Sequence, residues 1–303
     1  MTMPNFLIIG AEKSGTTALY YFLKQHPQVY MSPVKEPNFF SVEGEKPDSR
    51  LIRYLPGPKH LPTDHITDIH TYRRLFQKAS SETAIGEVSP VYIYYPKAVG
   101  RIQHYMPDTK IIAILRDPVE RAYSNFLHCV ALGREPLADF AKALEEEEIR
   151  VQNNWPALWH YKRKGFYYQQ LKRYFDAFEQ NQIRVYLYED LKTDPSGLVR
   201  DLFLFLGVDD SFVPDTSVRR NVSGVPKSEA LNRVFLHLNR PLIKKYLPPR
   251  LLEAWREPIR RRILTQPPRL PGEERRHLIE VFREDVLGLQ GLINRDLSRW
   301  LEE

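Results

Sequence analysis

The chain begins with a strand–loop–helix pattern that restricts its fold more than any other stretch. Four apolar residues at 6–9 predict a short buried strand, and apolar residues recur at helical spacing over 19–23. The loop between the two elements is bounded by Gly10 and Gly15. A loop that leads from a buried strand into a helix aims unpaired backbone N–H groups at one point, where they attract an anion, most often a phosphate. The sequence therefore predicts a phosphate-binding loop.

This loop differs from the phosphate loop of nucleoside triphosphatases. Gly10 and Gly15 have the spacing of the motif G-x-x-x-x-G-K-[ST], and Thr17 stands at its Ser/Thr position. Position 16, however, is Thr16, and the lysine lies inside the loop as Lys13. No later strand ends in an aspartate that is a convincing magnesium ligand, so the pattern argues against a nucleoside triphosphatase.

Strand and helix patterns alternate along the whole chain. Besides the first strand, strands are predicted at residues 29–31, 85–88, 110–115 and 183–187. This alternation predicts an α/β fold class, with a P-loop-type, mainly parallel β-sheet flanked by helices on both faces. Residues 110–115 are apolar on both faces, as a central parallel strand should be.

The predicted domain organisation is a single domain over residues 1–303. Within it, residues 240–271 form a basic, proline-rich excursion, and residues 272–303 form a C-terminal helical segment. Internal repeats are absent, and no linker is long enough to separate two domains.

A second candidate anion site follows the predicted central strand. Arg116 comes directly after residues 110–115, and Asp117 and Pro118 are typical of the N-cap and first turn of a helix. Ligands bind at the carboxyl ends of strands in open α/β sheets, so Arg116 and the first loop share one crevice if their strands are neighbours. Ser124 lies nearly two turns into the following helix and can supply a hydroxyl to the same site.

The composition of the chain restricts the kinds of ligand, metal site and cellular location that it can have. The net charge is +6, which suits anionic ligands, and the single cysteine, Cys129, excludes an intramolecular disulfide and a cysteine-based metal cluster. Neither a run of eighteen apolar residues nor a signal peptide is visible. We therefore expect a cytoplasmic protein without a transmembrane segment and without a nucleic-acid partner.

Two motifs together identify a resemblance. Gly-x-x-Lys13-Ser-Gly-Thr-Thr17 and, about a hundred residues later, Leu-Arg116-Asp-Pro-x-x-Arg-x-x-Ser124 resemble those of sulfotransferases that use 3′-phosphoadenosine-5′-phosphosulfate (PAPS), in particular the bacterial and heparan-sulfate branch. The resemblance implies a 5′-phosphosulfate site in the first motif and a 3′-phosphate site in the second. The loop Arg219–Ser228 resembles the cofactor-covering loop of the bacterial branch. The implied cofactor-binding residues are Lys13, Ser14, Gly15, Thr16, Thr17, Arg116, Ser124, Arg220 and Lys227.

The segment Lys35-Glu36-Pro-x-Phe-Phe40 extends the resemblance. In similar enzymes the glutamate is the catalytic base, and some members have histidine where this chain has Asn38. The implied catalytic residues are Glu36, as general base, and Lys13, which stabilises the leaving 5′-phosphate. The candidate substrate-binding residues are Lys35, Glu87, Ser89 and Tyr92.

The function implied by the resemblance is transfer of a sulfuryl group from PAPS to a hydroxyl or amine. The product of the donor is 3′-phosphoadenosine-5′-phosphate, and no metal is required. The acceptor is a small molecule, a lipid or a carbohydrate, and the oligomeric state stays open. Two alternatives are a P-loop kinase-like phosphotransferase and a non-catalytic protein that binds nucleotides or polyanions.

Overall fold

A five-stranded parallel sheet forms the centre of the molecule. The computed structural model describes residues 2–45, 66–217, 225–226, 264–265 and 268–303. The strands of the sheet are β1 (Phe6–Gly10), β2 (Val29–Met31), β3 (Ala84–Val88), β4 (Lys110–Leu115) and β5 (Ile183–Leu187). Their order is β2-β3-β1-β4-β5, and each adjacent pair is parallel. The predicted α/β fold class is therefore confirmed.

Helices cover the sheet on both faces. They are α1 (Thr16–Leu23), α2 (Phe39–Val42), α3 (Ile69–Arg74), α4 (Pro96–Tyr105), α5 (Pro118–Ala131), α6 (Phe140–Glu145), α7 (Glu147–Gln152), α8 (Tyr167–Ala177), α9 (Tyr188–Thr193), α10 (Pro195–Leu206) and α11 (Gly272–Ile293). Two short strands, β6 (Val225–Pro226) and β7 (Leu264–Thr265), pair antiparallel apart from the main sheet.

The central strand β1 explains why the core has two halves. All five of its residues are buried. Leu7 and Ile9 belong to an apolar cluster with residues of α4, α5, α8 and α11, whereas Phe6 and Ile8 belong to a second cluster with residues of α1 and α10. Because successive side chains of a strand point to opposite faces, an all-apolar strand requires a helical layer on each side.

From the sequence, residues 137–151 are predicted to form one helix with a solvated acidic run at 145–148, and this prediction is wrong in the bounds and the continuity of the helix. The first turn starts at Phe140 because the Asp139 carboxylate accepts a hydrogen bond from the Lys142 N–H at 3.0 Å, which makes Asp139 the N-cap. The stretch forms two helices, α6 and α7. The predicted solvated face is also wrong at Glu147, which is buried and accepts hydrogen bonds from two backbone N–H groups of residues 162 and 163.

The C-terminal helix α11 returns to the main body. Its apolar stripe packs against α8 and α5, and the buried Trp300 follows it. Most of the predicted excursion at 240–271 lies outside the described residues, and the single domain stays a prediction. Within the described part of the chain, no helix is both long and apolar enough to cross a membrane.

The close packing of β1 on β3 yields a first prediction, at Gly86. A Cβ at Gly86 would lie 2.3–2.5 Å from the Phe6 ring, so Gly86→Ala forces the ring or the strand to move. We expect a loss of about 1–3 kcal/mol in the free energy of unfolding, the usual cost of overpacking a core. Gly100→Ala in α4 is the matched control, since nothing lies within 4 Å of its added Cβ.

In this exposed helix position, alanine should raise stability by roughly 0.5–1 kcal/mol. Urea unfolding of both variants measures the difference. Equal stability of the two variants would contradict the packing described for β1 and β3.

Candidate functional site

The loop between β1 and α1 is a backbone cradle at the carboxyl edge of the sheet. Gly15 precedes α1 with a φ of +102°, a left-handed conformation that favours glycine. A Cβ at this position would lie 2.6 Å from Leu191 Cδ2 and 3.2 Å from the Tyr188 ring. The first turn of α1 contains no acidic residue. The unpaired N–H groups at the start of α1 therefore lie beside the Gly15 turn, and with no acidic side chain in the first turn of α1 they suit an anion.

Lys13 lies inside this loop, as the sequence indicates. Its φ is +67°, an uncommon value for a residue with a side chain. The Lys13 carbonyl accepts a hydrogen bond of 3.4 Å from Nη1 of Arg116. The two predicted anion sites are thus in direct contact.

Pairing of β1 with β4 brings Arg116 to the loop. The Arg116 guanidinium also donates to Oε2 of Glu120 at 3.2 Å and lies over the Tyr188 ring, 5.1 Å from its centroid. These contacts hold the positive charge of Arg116 at the edge of the sheet, although the Arg116 side chain is only 20% exposed. The predicted common crevice of the first loop and Arg116 agrees with this arrangement.

Ser124 lies on the same face of α5 as Glu120, the ion-pair partner of Arg116. Residues four apart in a helix lie on one face, and Glu120, which pairs with Arg116, is four residues before Ser124. Ser124 is 6% exposed. The predicted N-cap is confirmed as well, because Asp117 accepts hydrogen bonds from the N–H groups of Val119 and Glu120 at 2.8 and 3.3 Å.

Glu36 lies at the same edge of the sheet, beyond β3. Its N–H donates to the Val88 carbonyl at 2.9 Å, and its carboxylate forms an ion pair with Lys35. The Glu36 side chain is 43% exposed, so its carboxylate is accessible to another molecule. Lys13 follows β1 and Arg116 follows the adjacent β4. Glu36 comes after β2 in the chain, and its hydrogen bond to Val88 places it at the carboxyl end of β3, on the other side of β1.

Three candidate substrate-binding residues lie in the interior behind Glu36. Glu87, Ser89 and Tyr92 are each 0% exposed. Burial raises the pKa of Glu87 to about 7, although hydrogen bonds from Tyr92, Ser89 and Tyr72 act to lower it. Their direct contact with a substrate stays a prediction. Contact of Lys35 with a substrate also stays a prediction. Two predicted cofactor-binding residues, Arg220 and Lys227, lie outside the described residues.

Sequence reasoning missed an ion pair beneath the loop. Lys164 is 4% exposed, and its Nζ donates to Oε2 of Glu12 at 2.6 Å and to Oδ1 of Asn125 at 2.9 Å. Burial, the largest single influence, acts to raise the pKa of Glu12. The charge and hydrogen bond of Lys164, together with Arg121 and His128, hold that pKa below its ordinary value. No pattern links positions 12 and 164, so only the fold could reveal this support of the loop.

Tyr188 and Tyr167 are further residues without a sequence signal. Tyr188 opens α9, a helix that the sequence did not predict, and its ring stacks on Arg116. The Tyr167 hydroxyl donates to the Arg116 carbonyl at 3.1 Å. Both aromatic residues therefore restrict the position of Arg116 from opposite ends of the residue.

Fold and site together define a class: a P-loop-type α/β protein with a glycine-bounded loop after β1 and an arginine after β4 that contacts this loop. A family model described as "Sulfotransferase family" matches residues 4–212. The chain belongs to the sulfotransferase family and is an enzyme of that class. The resemblance found in the sequence is confirmed.

Individual relatives agree with this assignment. The chain is 33% identical to a crystallised sulfotransferase from Alicyclobacillus acidocaldarius, with a TM-score of 0.75 and 100% of both chains covered. It is 29% identical over 218 residues to bifunctional heparan sulfate N-deacetylase/N-sulfotransferase 4 of Mus musculus, covering 68% of this chain and 22% of that protein. Heparan sulfate glucosamine 3-O-sulfotransferase 3B1 of Mus musculus is 28% identical over 208 residues, covering 68% and 46%. The chain thus spans less than half of the length of these two relatives.

The buried carboxyl of Glu87 gives a pH-dependent prediction. In the unfolded chain it ionises near 4.5, and in the folded chain near pH 7. Between these values unfolding releases a proton, so stability falls as pH rises, by up to about 1.4 kcal/mol per pH unit. Glu87→Gln removes this titration and should show a flatter pH dependence of the free energy of unfolding across that window.

Urea unfolding at several pH values in this window measures both slopes. Glu148→Gln, which removes an exposed carboxyl on α7, should keep the wild-type slope. If Glu87→Gln also kept the wild-type slope, the assignment of a raised pKa to Glu87 would be wrong.

Proposed function

We propose that the enzyme transfers a sulfuryl group from PAPS to a hydroxyl or amine of an acceptor and releases 3′-phosphoadenosine-5′-phosphate. The observation that carries this proposal is the convergence of the β1 loop, Arg116 and Glu36 at the carboxyl ends of three adjacent parallel strands. An anion cradle, a second cation and an accessible carboxylate meet there. Membership in the sulfotransferase family supports the same reaction.

The two anion sites suit a nucleotide that carries phosphates at two positions. The loop Lys13–Thr17 would hold the 5′-phosphosulfate, with backbone N–H groups at the start of α1 and hydroxyls of Thr16 and Thr17. Arg116 and Ser124 would hold the 3′-phosphate, since a guanidinium can donate to two oxygens at once. The glycine at position 15 keeps this cradle open, because a side chain there would collide with α9.

The donor supplies an activated sulfuryl group when it is bound. Glu36 accepts the proton of the acceptor hydroxyl or amine as a general base. A bond forms between the acceptor oxygen or nitrogen and sulfur, and the bond from sulfur to the bridging oxygen of the 5′-phosphate breaks. Lys13 and the loop N–H groups stabilise the negative charge that develops on this oxygen.

A metal ion is not part of the proposed mechanism. A sulfuryl group carries less negative charge than a phosphoryl group, so the loop and Lys13 supply the required charge stabilisation. Among the residues that the structure describes, no three His, Cys, Asp or Glu side chains are grouped as a metal site would need. Independence from metal remains part of the proposal.

The acceptor class is proposed from the relatives. Two of them are named for heparan sulfate, a carbohydrate, and this makes carbohydrate hydroxyls and amines the first acceptors to test. Small molecules and lipids form the remaining arms of a screen with radiolabelled PAPS. Such a screen identifies the acceptor by which class becomes labelled. A cytoplasmic location stays a proposal from the sequence.

Replacing the proposed base separates chemistry from donor binding. Glu36→Gln keeps the size of the side chain but cannot accept the proton, and we expect turnover to fall by about 10²-fold or more. Affinity for 3′-phosphoadenosine-5′-phosphate, measured by calorimetry, should stay unchanged. Glu280→Gln, which alters an exposed ion-paired glutamate on α11, is the matched control. Full turnover of Glu36→Gln would remove Glu36 from the role of base.

Replacing Arg116 tests the second anion site. Arg116→Ala should weaken binding of 3′-phosphoadenosine-5′-phosphate about 10- to 100-fold, because a charge-assisted hydrogen bond is lost. Arg184→Ala is a close control, since Arg184 also lies 5.1 Å from an aromatic ring centroid, that of Phe205, but on β5 and away from the loop. Its affinity should equal that of the wild type.

The same calorimetry distinguishes the alternatives. Tighter binding of ATP with Mg²⁺ than of the bisphosphate would favour a kinase-like phosphotransferase. Binding of the bisphosphate without transfer of labelled sulfate to any acceptor class would favour a non-catalytic binding protein.

A further inference from the structure

A buried carboxyl lies directly behind the proposed general base. Glu87 is near the carboxyl end of β3 and is 0% exposed. Its Oε2 accepts a hydrogen bond of 2.8 Å from the Ser89 hydroxyl, and its Oε1 accepts one of 3.3 Å from the Tyr72 hydroxyl. A buried carboxyl is costly unless hydrogen bonds satisfy it, so this arrangement calls for a reason.

The segment that carries Glu36 is attached to the same cluster. The Asn38 N–H donates to the Ser89 hydroxyl oxygen at 3.0 Å, and the Phe40 N–H donates to the Tyr92 hydroxyl oxygen at 3.4 Å. We call Glu87, Ser89 and Tyr92 the Glu87 anchor. Through this anchor, a chain of hydrogen bonds leads from the Glu87 carboxyl to the backbone two residues beyond Glu36.

The backbone of this segment needs such support. Glu36 has a φ of +61° and Asn38 a φ of +56°. A left-handed conformation is unfavourable for a residue with a side chain and persists only where its surroundings hold it in place. The hydrogen bond from the Glu36 N–H to Val88 holds one end, and the Ser89 hydroxyl holds the other.

Packing below the segment supports the same geometry. The rings of Phe39 and Phe40 are buried against Tyr72, with Phe39 stacked on it at a centroid distance of 4.6 Å. The Tyr72 hydroxyl donates a hydrogen bond to the Glu87 carboxyl. The side chains that surround the Glu87 carboxyl therefore come from α3, from the segment after β3 and from the Glu36 segment.

We propose that Glu87 is a positioning residue: through Ser89 it holds the backbone of residues 36–40 and thereby aims the Glu36 carboxylate at the acceptor. This inference rests on the proposed function for the role of Glu36. In this role Glu87, which is 0% exposed, replaces the predicted substrate contact and acts on the reaction only through the Glu36 segment.

The charge state of Glu87 is consistent with this role. Burial, together with the nearby charge of Glu36, raises the pKa of Glu87 to about 7. The groups that face it are the hydroxyls of Tyr72, Ser89 and Tyr92 and the carboxylate of Glu36. Near neutral pH the carboxyl is held partly protonated, so it places less negative charge behind Glu36 than an ionised neighbour would.

Hydrogen exchange tests the anchor without any assay of activity. Mass spectrometry of Ser89→Ala and Glu87→Ala should show about 10-fold faster amide exchange in the segment 33–42, since local opening exposes these N–H groups. The segment 6–23 should exchange at the wild-type rate. Glu87→Gln, whose amide oxygen can still accept from Ser89, should restore slow exchange in 33–42.

Tyr186→Phe is the matched control for loss of one hydroxyl hydrogen bond. The Tyr186 hydroxyl donates to Asp201 at 2.8 Å on the other side of the sheet. This variant should leave exchange in 33–42 unchanged. Wild-type exchange of that segment in both Ser89→Ala and Glu87→Ala would overturn the proposal.

Kinetics test whether the anchor acts through Glu36. The assay follows release of labelled inorganic sulfate from PAPS with water as acceptor, and transfer to an acceptor from the screen. Ser89→Ala should lower kcat about 10-fold and leave KM for PAPS unchanged, because small displacements of a catalytic group reduce turnover. In the Glu36→Gln background the same substitution should have no further effect.

The outcomes separate the two proposals. A loss of kcat in Ser89→Ala that is equally large in the Glu36→Gln background would overturn the positioning role, since it would show action by another route. Faster exchange in 33–42 with unchanged kcat would also overturn it. Full activity of Glu36→Gln alone, in contrast, counts against the base in the proposed function, while hydrogen exchange still decides whether the anchor holds the segment.

Discussion

Parallel pairing of β1 with both β3 and β4 is the constraint on which the rest of the structure depends. Because the three strands run in one direction, their carboxyl ends meet at one edge, and the residues that follow them converge there. Lys13 follows β1 and Arg116 follows β4, while Glu36 comes after β2 in the chain and is hydrogen-bonded to Val88 at the end of β3. A sulfotransferase site thus arises from strand order, and loops supply the chemical groups.

Arg116 shows how the fold prepares a charge for a ligand. Its guanidinium is held by the Lys13 carbonyl, by Glu120 and by the Tyr188 ring. Glu120 in turn pairs with Arg275 of the C-terminal helix. The cation is therefore compensated and oriented before any phosphate binds, which reduces the entropy that a ligand must overcome to order it.

Much of the fold could be predicted from local patterns. β2, β4 and β5 have the predicted bounds because short stretches rich in apolar and β-branched residues are strong local signals. The predictions failed where tertiary contacts compete with such signals. Helix α9 directly follows β5 without a loop, and Glu147 lies inside a run of acidic residues yet is buried by backbone N–H groups from a distant turn.

The sequence by itself determined the fold class, the glycine-bounded loop after β1 and the family, because glycine spacing, strand–helix alternation and the two motifs are local properties of the chain. Only the tertiary structure decided what surrounds these residues: the buried pair of Lys164 with Glu12 under the loop and the Glu87 anchor behind Glu36. Both depend on burial and on contacts between distant segments. A carboxyl near the end of a strand looks the same in the sequence whether it faces a substrate or holds the backbone of the segment beside it.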